Sequence, residues 1–341
     1  MSMKALFIGG TGTISTAITK RLPSEGWDLT LLNRGNRNAI VPEGVHTVAL
    51  DVHDEKALAD YMKDKQFDVI CDFIGFVPSD VERDYRVFKG HTKQYMYISS
   101  AATYQKPCAD YHITEGTCQE NRYWQYARDK IECEKFLMTK YREEGFPVTI
   151  IRPSHTYDER FVPMGVHGKN GSYQVLKRMK EGKPVIIHGD GTSLWTMTHN
   201  SDFAKGFIGL MGNIHAIGEA VQITSDETVT WNQVFQAVAD ALGVKLNAYY
   251  VSSQFIAETG AAFDAGPGLL GDKANSVVFD CSKLKRLVPD FCCTTRFDQG
   301  VRKTVEYVMS HKECQNEDPE FDEWCDKVIA AMEKAKKEVL A

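Results

Sequence analysis

The chain has 341 residues, a net charge of −6, an apolar fraction of 43% and a charged fraction of 25%, the composition of an ordinary soluble globular protein. No apolar run approaches the roughly 20 residues of a membrane span, and the acidic balance without a basic block argues against a nucleic-acid partner. The nine cysteines are scattered without a C-x-x-C pair, and "MSMKALFIGG" runs straight into an apolar segment without the pattern of a signal peptide, so a reduced, cytoplasmic protein is expected.

In chain order, short apolar runs at 4–9, 28–33, 46–52, 68–75, 94–100 and 148–154 have the length and the Val, Ile, Leu, Phe and Tyr content of strands. Helical stretches lie between them near 15–25, 55–65, 78–90 and 122–145. Such alternation predicts an α/β fold, a doubly wound parallel sheet covered on both faces. Beyond residue 155 the alternation loosens. Residues 171–184 read as a helix ending at a glycine, "VIIHGDGT" as a strand and turn, "EAVQITS" (219–225) as a strand and 230–243 as a capped helix. The Gly- and Ala-rich stretch 258–274 reads as a loop or loosely helical lobe, and 320–340 as a charged, solvated helix. The expected organisation is a nucleotide-binding unit over 1–155, to which 195–228 returns. A substrate-binding lobe follows over 156–310, with a helical extension over 311–341.

Two local patterns carry chemistry. "IGGTGTIS" (8–15) joins the first strand to the first helix. Its glycines let backbone approach a pyrophosphate, and N–H groups along Gly9, Thr11, Gly12, Thr13 and Ile14 can hold the charge; alone, it is also compatible with a plain tight turn. The second strand ends in Asn33-Arg34 where a carboxylate would select NAD. Arg34, with Arg37 nearby, tilts the expectation toward NADP over NAD, unless Arg34 is a solvated loop residue or stacks on adenine.

The second pattern is Y-x-x-x-K, which places both side chains on one helix face and occurs four times: Tyr61/Lys65, Tyr85/Lys89, Tyr126/Lys130 and Tyr173/Lys177. Spacing cannot choose among them. Position in the sheet does, because ligands bind at the carboxyl ends of the strands. Only Tyr126 begins the helix that follows a strand ending in two hydroxyls, Ser99-Ser100.

Gly9-x-x-Gly12, Asp51-Val52, "FIG" (73–75), "SSAATY" (99–104), "YARDK" (126–130) and "IRPSHTY" (151–157) occur in the order seen in extended short-chain dehydrogenases/reductases. The chain resembles the NAD(P)-dependent epimerase/dehydratase group over roughly residues 3–310. Within it, it looks like bacterial relatives of the chloroplast stem-loop RNA-binding proteins. The resemblance implies a Rossmann-type nucleotide domain, Ser100, Tyr126 and Lys130 as the catalytic set, and Lys130 and Tyr126 also against the nicotinamide ribose. It further implies Asp51 and Val52 at the adenine, Phe73, Ile74 and Gly75 along the middle of the cofactor, Ser99 near it, and Pro153 at the carboxamide. Helices 78–90 and 122–145 commonly form a dimer interface in this group, so a homodimer is expected.

Three features depart from the group. Trp195 stands where nucleotide-sugar enzymes supply an arginine for the diphosphate; it could face a sugar ring or fill a core. His155 replaces the substrate-contacting Asn, as a second acid/base or as a polar wall. Ala101-Ala102 follow Ser100 where dehydratases tend to carry Asp-Glu. The substrate expected against Ser100, Ala101, Tyr126, His155 and Trp195 is therefore a small sugar-like alcohol or ketone or a polyol. An RNA-binding protein and a silent NADP-sensing regulator are the alternative functions.

Overall fold

The computed structural model describes residues 2–35, 41–263 and 265–341; Arg37 lies outside them. Seven strands form the central sheet: β1 (Met3–Ile8), β2 (Trp27–Asn33), β3 (His46–Ala49), β4 (Phe67–Asp72), β5 (Thr92–Ile98), β6 (Val148–Pro153) and β7 (Ala220–Ile223). Their order is β7-β6-β5-β4-β1-β2-β3 and every pairing is parallel.

The two-residue period of a strand explains why these runs are apolar throughout. Ala5 and Phe7 enter one core with Leu29, Leu31, Val69 and Met96, while Leu6 and Ile8 enter the other with Leu32, Ile70, Tyr95 and Tyr97. Helices Ser15–Arg21 and Asn200–Leu210 cover the first face, and Glu55–Met62, Pro78–Phe88 and Gln125–Glu144 the second. The chain leaves β1 toward β2 and β3, then crosses back to β4, so the order reverses between β1 and β4. A crevice opens there at the carboxyl ends of the strands, as expected for this architecture.

The second half has its own core. Strand Val185–His188 pairs in parallel with Ala248–Val251, flanked by helices Tyr173–Lys180, Trp231–Leu242 and Phe297–Ser310. Residues 258–274, read as a loop or loose lobe, fold as a succession of short helical turns, with Asp264 itself outside the description. The C-terminal helix Pro319–Leu340 is less solvated than its charge suggests. Its inner face buries Phe321, Cys325 and Val328, and the buried Arg178 binds Asp322 and Asp326 at 2.7 Å each.

Candidate active site

The crevice is a cleft of about 730 Å³. Its floor is the turn after β1, where Gly9 and Gly10 have φ of +98° and +96°. A Cβ on Gly10 would lie 2.7 Å from Leu31 Cδ2 in the core, so only glycine lets this turn pack down on β2 with its backbone bare toward the cleft. From behind, Asn200 Nδ2 donates to Thr13 O at 3.1 Å and holds the turn in place.

The expected cofactor residues Gly9, Thr11, Gly12, Thr13, Ile14, Asn33, Arg34, Asp51, Val52, Phe73, Ile74, Ser99 and Pro153 all line this cleft, as do Ser100, Tyr126 and Lys130. Asn33 turns its Oδ1 to Gly35 N at 2.7 Å, leaving its buried Nδ2 without a partner among the described residues. A buried amide without an acceptor is costly unless a ligand completes it. Together with the open glycine turn, this fits a dinucleotide whose ribose or 2′-phosphate reaches the end of β2. Sequence reasoning missed Phe76, Asp80 and Ser154, which also line the cleft; their positions in a loop, in the first turn of helix Pro78–Phe88 and just past β6 carry no spacing signal.

Gly75 is not in the wall but behind it. Asp72 Oδ1 accepts the N–H of Ile74 at 2.8 Å and of Gly75 at 2.9 Å, shaping the turn after β4. A Cβ on Gly75 would lie 2.1 Å from Asp72 Oδ2, which explains the glycine. The Gly75 carbonyl, freed by this turn, accepts from Lys130 Nζ at 2.6 Å; Ile98 O accepts from the same amine, also at 2.6 Å. Lys130 is 2% exposed, with the rings of Tyr97 and Phe76 4.7 and 5.0 Å from its amine. Burial pulls its pKa down from 10.5 to about 8, against the opposing pull of Asp72.

Tyr126 sits one turn earlier on the same helix. Burial raises its phenol above the usual value; the nearby Ser100 hydroxyl works in the opposite direction, and the carboxylate of Asp272 adds to the rise. Ser100 accepts from Ala102 N at 3.1 Å, an N-terminal cap on the short turn that starts at Ala101. Glu134, two turns beyond Tyr126, accepts from Ser99 Oγ and from Arg152 Nε at 3.0 Å, and Gln119 donates to it at 2.9 Å. This buried pair ties the helix to the ends of β5 and β6.

The other three Tyr–Lys pairs are spent elsewhere. Lys65 Nζ donates to Tyr61 O at 2.7 Å, Lys89 binds Tyr85 OH and Glu144, and Lys177 pairs with Glu317 at 2.7 Å while Tyr173 reaches Gln315. None of them lines the cleft.

Ala101, His155 and Trp195 are not brought into the cleft wall. Ala101 is buried just behind Ser100. His155 pairs with Met197 in a short parallel bridge, and enclosure beside Lys273 and His167 pulls its imidazole down to about 3, so it is neutral at physiological pH. Trp195 is 2% exposed in the second core, its ring centroid 6.2 Å from that of Trp231, but its Nε1 has no partner among the described residues.

A family model described as NAD dependent epimerase/dehydratase matches residues 5–224, most of the chain and all seven sheet strands. The chain belongs to this family. It is therefore an enzyme of the oxidoreductase and epimerase type found among extended short-chain dehydrogenases/reductases, built to use a nicotinamide dinucleotide. Among its relatives is a 2'-dehydrokanamycin reductase of Streptomyces kanamyceticus, 22% identical over 290 residues that span 85% of this chain and 80% of that protein. A chloroplast stem-loop binding protein of Arabidopsis thaliana is 27% identical over 254 residues, 70% of this chain and 63% of that one. The fold is shared with epimerase Mth375 of Methanothermobacter thermautotrophicus, with TM-score 0.74, 16% identity, and coverage of 92% of this chain and 94% of that one. It is also shared with the UDP-glucose 4-epimerase of Bifidobacterium longum bound to NAD+ and UDP, with TM-score 0.72, 17% identity, and coverage of 91% and 99%. No helix among the described residues is long and apolar enough to cross a membrane.

Proposed function

We propose that the enzyme interconverts a secondary alcohol and ketone on a sugar-like or polyol substrate, with Tyr126 as acid/base, Ser100 holding the substrate oxygen and Lys130 supporting both. The observation that carries this reading is that one of four Tyr–Lys pairs, and no other, faces the cleft beside a strand-end serine. When bound, the nicotinamide supplies or accepts the hydride. Tyr126 takes the hydroxyl proton as the alcohol is oxidised and returns it in the reverse direction. Its phenol lies above the usual value in the free protein, so a cation must act on it to make it a base at neutral pH. The Lys130 amine, 5.8 Å from the Tyr126 ring, is the cation in place to do so. Ser100 gives its hydroxyl hydrogen to the substrate oxygen and fixes it in line with the phenol.

The 2'-dehydrokanamycin reductase supports ketone reduction on a sugar-bearing molecule. A tryptophan in place of the diphosphate-binding arginine supports a substrate without a nucleotide. NADP is favoured over NAD, because Arg34 is exposed at the cleft edge beside the unpartnered Asn33 amide. A homodimer through helices Pro78–Phe88 and Gln125–Glu144, which pack side by side, is part of the proposal and is checked by sedimentation equilibrium.

The test is Tyr126→Phe, assayed on a panel of sugars and polyols with NADP and NAD. Turnover should fall by about 10²–10⁴-fold with cofactor binding kept, while Phe at Tyr61, Tyr85 or Tyr173 leaves turnover in place. Full activity of Tyr126→Phe would refute the assignment.

A further inference from the structure

Beside Tyr126 the cleft carries an apolar group that the proposed chemistry does not use. Phe76 lines the cleft and is 50% exposed, and Ile74 and Val77 on either side of it are each more than a third exposed. Single apolar side chains are common on a protein surface, but an apolar run beside a reaction cleft marks a contact with a ligand.

The segment that carries this ring is fixed from both sides. Phe76 N and Val77 N donate to Asp80 Oδ2, at 2.9 and 3.2 Å, where helix Pro78–Phe88 begins. One residue earlier, Gly75 O accepts from Lys130 Nζ at 2.6 Å and from the Tyr97 hydroxyl at 3.1 Å. The Phe76 ring centroid lies 6.5 Å from that of Tyr126, with the planes inclined at 47°, and 5.0 Å from the Lys130 amine. Covering Lys130 occupies only part of the ring, since half of the residue stays accessible. A molecule whose hydroxyl meets the Tyr126 phenol therefore has its carbon skeleton within reach of this ring.

We infer that Phe76 is a stacking platform for the apolar face of a cyclic sugar, which makes the substrate class a pyranose or a glycoside and not an open-chain polyol. A pyranose gathers C–H bonds on a face of its ring and holds hydroxyls toward its rim. The electron-rich face of the phenyl ring attracts such weakly positive C–H groups. An open-chain polyol has a hydroxyl on every carbon and freely turning bonds. Laying it on Phe76 would strip hydroxyls of water with nothing to bond them, and would cost more conformational entropy. This assignment rests on the alcohol–ketone reading given above and narrows its substrate class.

The experiment is saturation-transfer NMR on the NADP-loaded enzyme, irradiating the protein's aromatic protons, with methyl β-D-glucoside, methyl β-D-galactoside and D-glucitol as probes. A glycoside should bind in preference to D-glucitol, with transfer strongest to the C–H groups of one ring face. Phe76→Leu keeps an apolar cover on Lys130 but removes the aromatic face. It should weaken glycoside binding by about two- to tenfold and flatten the face-selective transfer, while Phe76→Tyr retains both. NADP affinity should stay the same in both variants, which also shows that they fold. Preference for D-glucitol, absence of glycoside binding, or unchanged glycoside binding in Phe76→Leu overturns the inference. So does a loss of NADP affinity in Phe76→Leu, which would put the ring against the cofactor instead. Because the readout is binding, it separates the two readings. A fully active Tyr126→Phe would sink the acid/base assignment, and glycoside binding weakened with the loss of the Phe76 ring would still stand.

Discussion

Lys130 is the residue whose environment gives the most quantitative expectation. In the free protein its amine is enclosed by Tyr97, Phe76 and two carbonyls, and its pKa falls from 10.5 to about 8. The unfolded chain keeps its lysine protonated up to about 10.5, so between pH 8 and 10.5 the unfolded state binds more protons than the folded one. Stability contributed by this group therefore rises with pH in that window, by about 1.4 kcal/mol per unit, and below pH 8 the full penalty of about 3 kcal/mol is present. Lys130→Met removes the titration. It also takes a donor from Ile98 O and leaves Gly75 O with the Tyr97 hydroxyl alone, at 3.1 Å, a cost of about 1–3 kcal/mol that does not depend on pH. The slope, not the absolute stability, is thus the signature. Urea unfolding of cofactor-free wild type and Lys130→Met, followed by tryptophan fluorescence at pH 7.5, 8.5 and 9.5, should show wild type gaining on the variant above pH 8 at about the rate given. A difference that stays flat would mean that Lys130 keeps an ordinary pKa and that its cage does not desolvate it.

Gly75→Ala should drive a Cβ into Asp72, unseat the carbonyl that holds Lys130, lower turnover and cost about 1–3 kcal/mol in denaturant melts. Glu134→Gln leaves the Arg152 guanidinium buried without its counter-charge and should destabilise by about 3–5 kcal/mol, read by urea titration. Arg34→Ala should raise KM for NADP by about tenfold and that for NAD little, measured by steady-state kinetics with each cofactor. Asp272→Asn removes a negative charge that raises the Tyr126 phenol, so the basic group governing alcohol oxidation should titrate at lower pH in kcat/KM profiles.

The first half of the molecule was legible because each buried strand is a short apolar run. β1 through β6 all overlap the runs read from the chain, four of them starting one or two residues earlier, and their alternation with helices implies the parallel order. Tyr126 was legible only in combination with Ser99-Ser100, since its spacing to Lys130 recurs at three places where the same residues serve packing and surface pairing. What stayed hidden depends on tertiary approach. Asp272 lies far from Tyr126 in sequence, in a short helical turn; nothing local marks it until Asn121 Nδ2 donates to both Ala102 O and Gly271 O and brings the two segments together. The stretch 258–274 was unreadable for a different reason. Glycine and alanine give no apolar period, and its short turns are held by neighbours such as Asn121 and Trp124 against Gly271. Trp195 was open between a core and a sugar face, and its position in the second core with a free N–H shows why composition could not decide.

Tyr126, Lys130 and Glu134 follow one another at four-residue steps along a single helix, the first facing the cleft, the second gripping the turn after β4, the third locked to Arg152. The helix thus behaves as a ruler with its zero mark at the buried ion pair. Inserting one residue between Lys130 and Glu134 would rotate the Tyr126 end by about 100° relative to its anchor, whereas side chains on the outward face can be exchanged without moving a graduation. Insertions and deletions in this stretch should therefore be excluded in any functional descendant of the chain, even where substitutions on the same helix are plentiful.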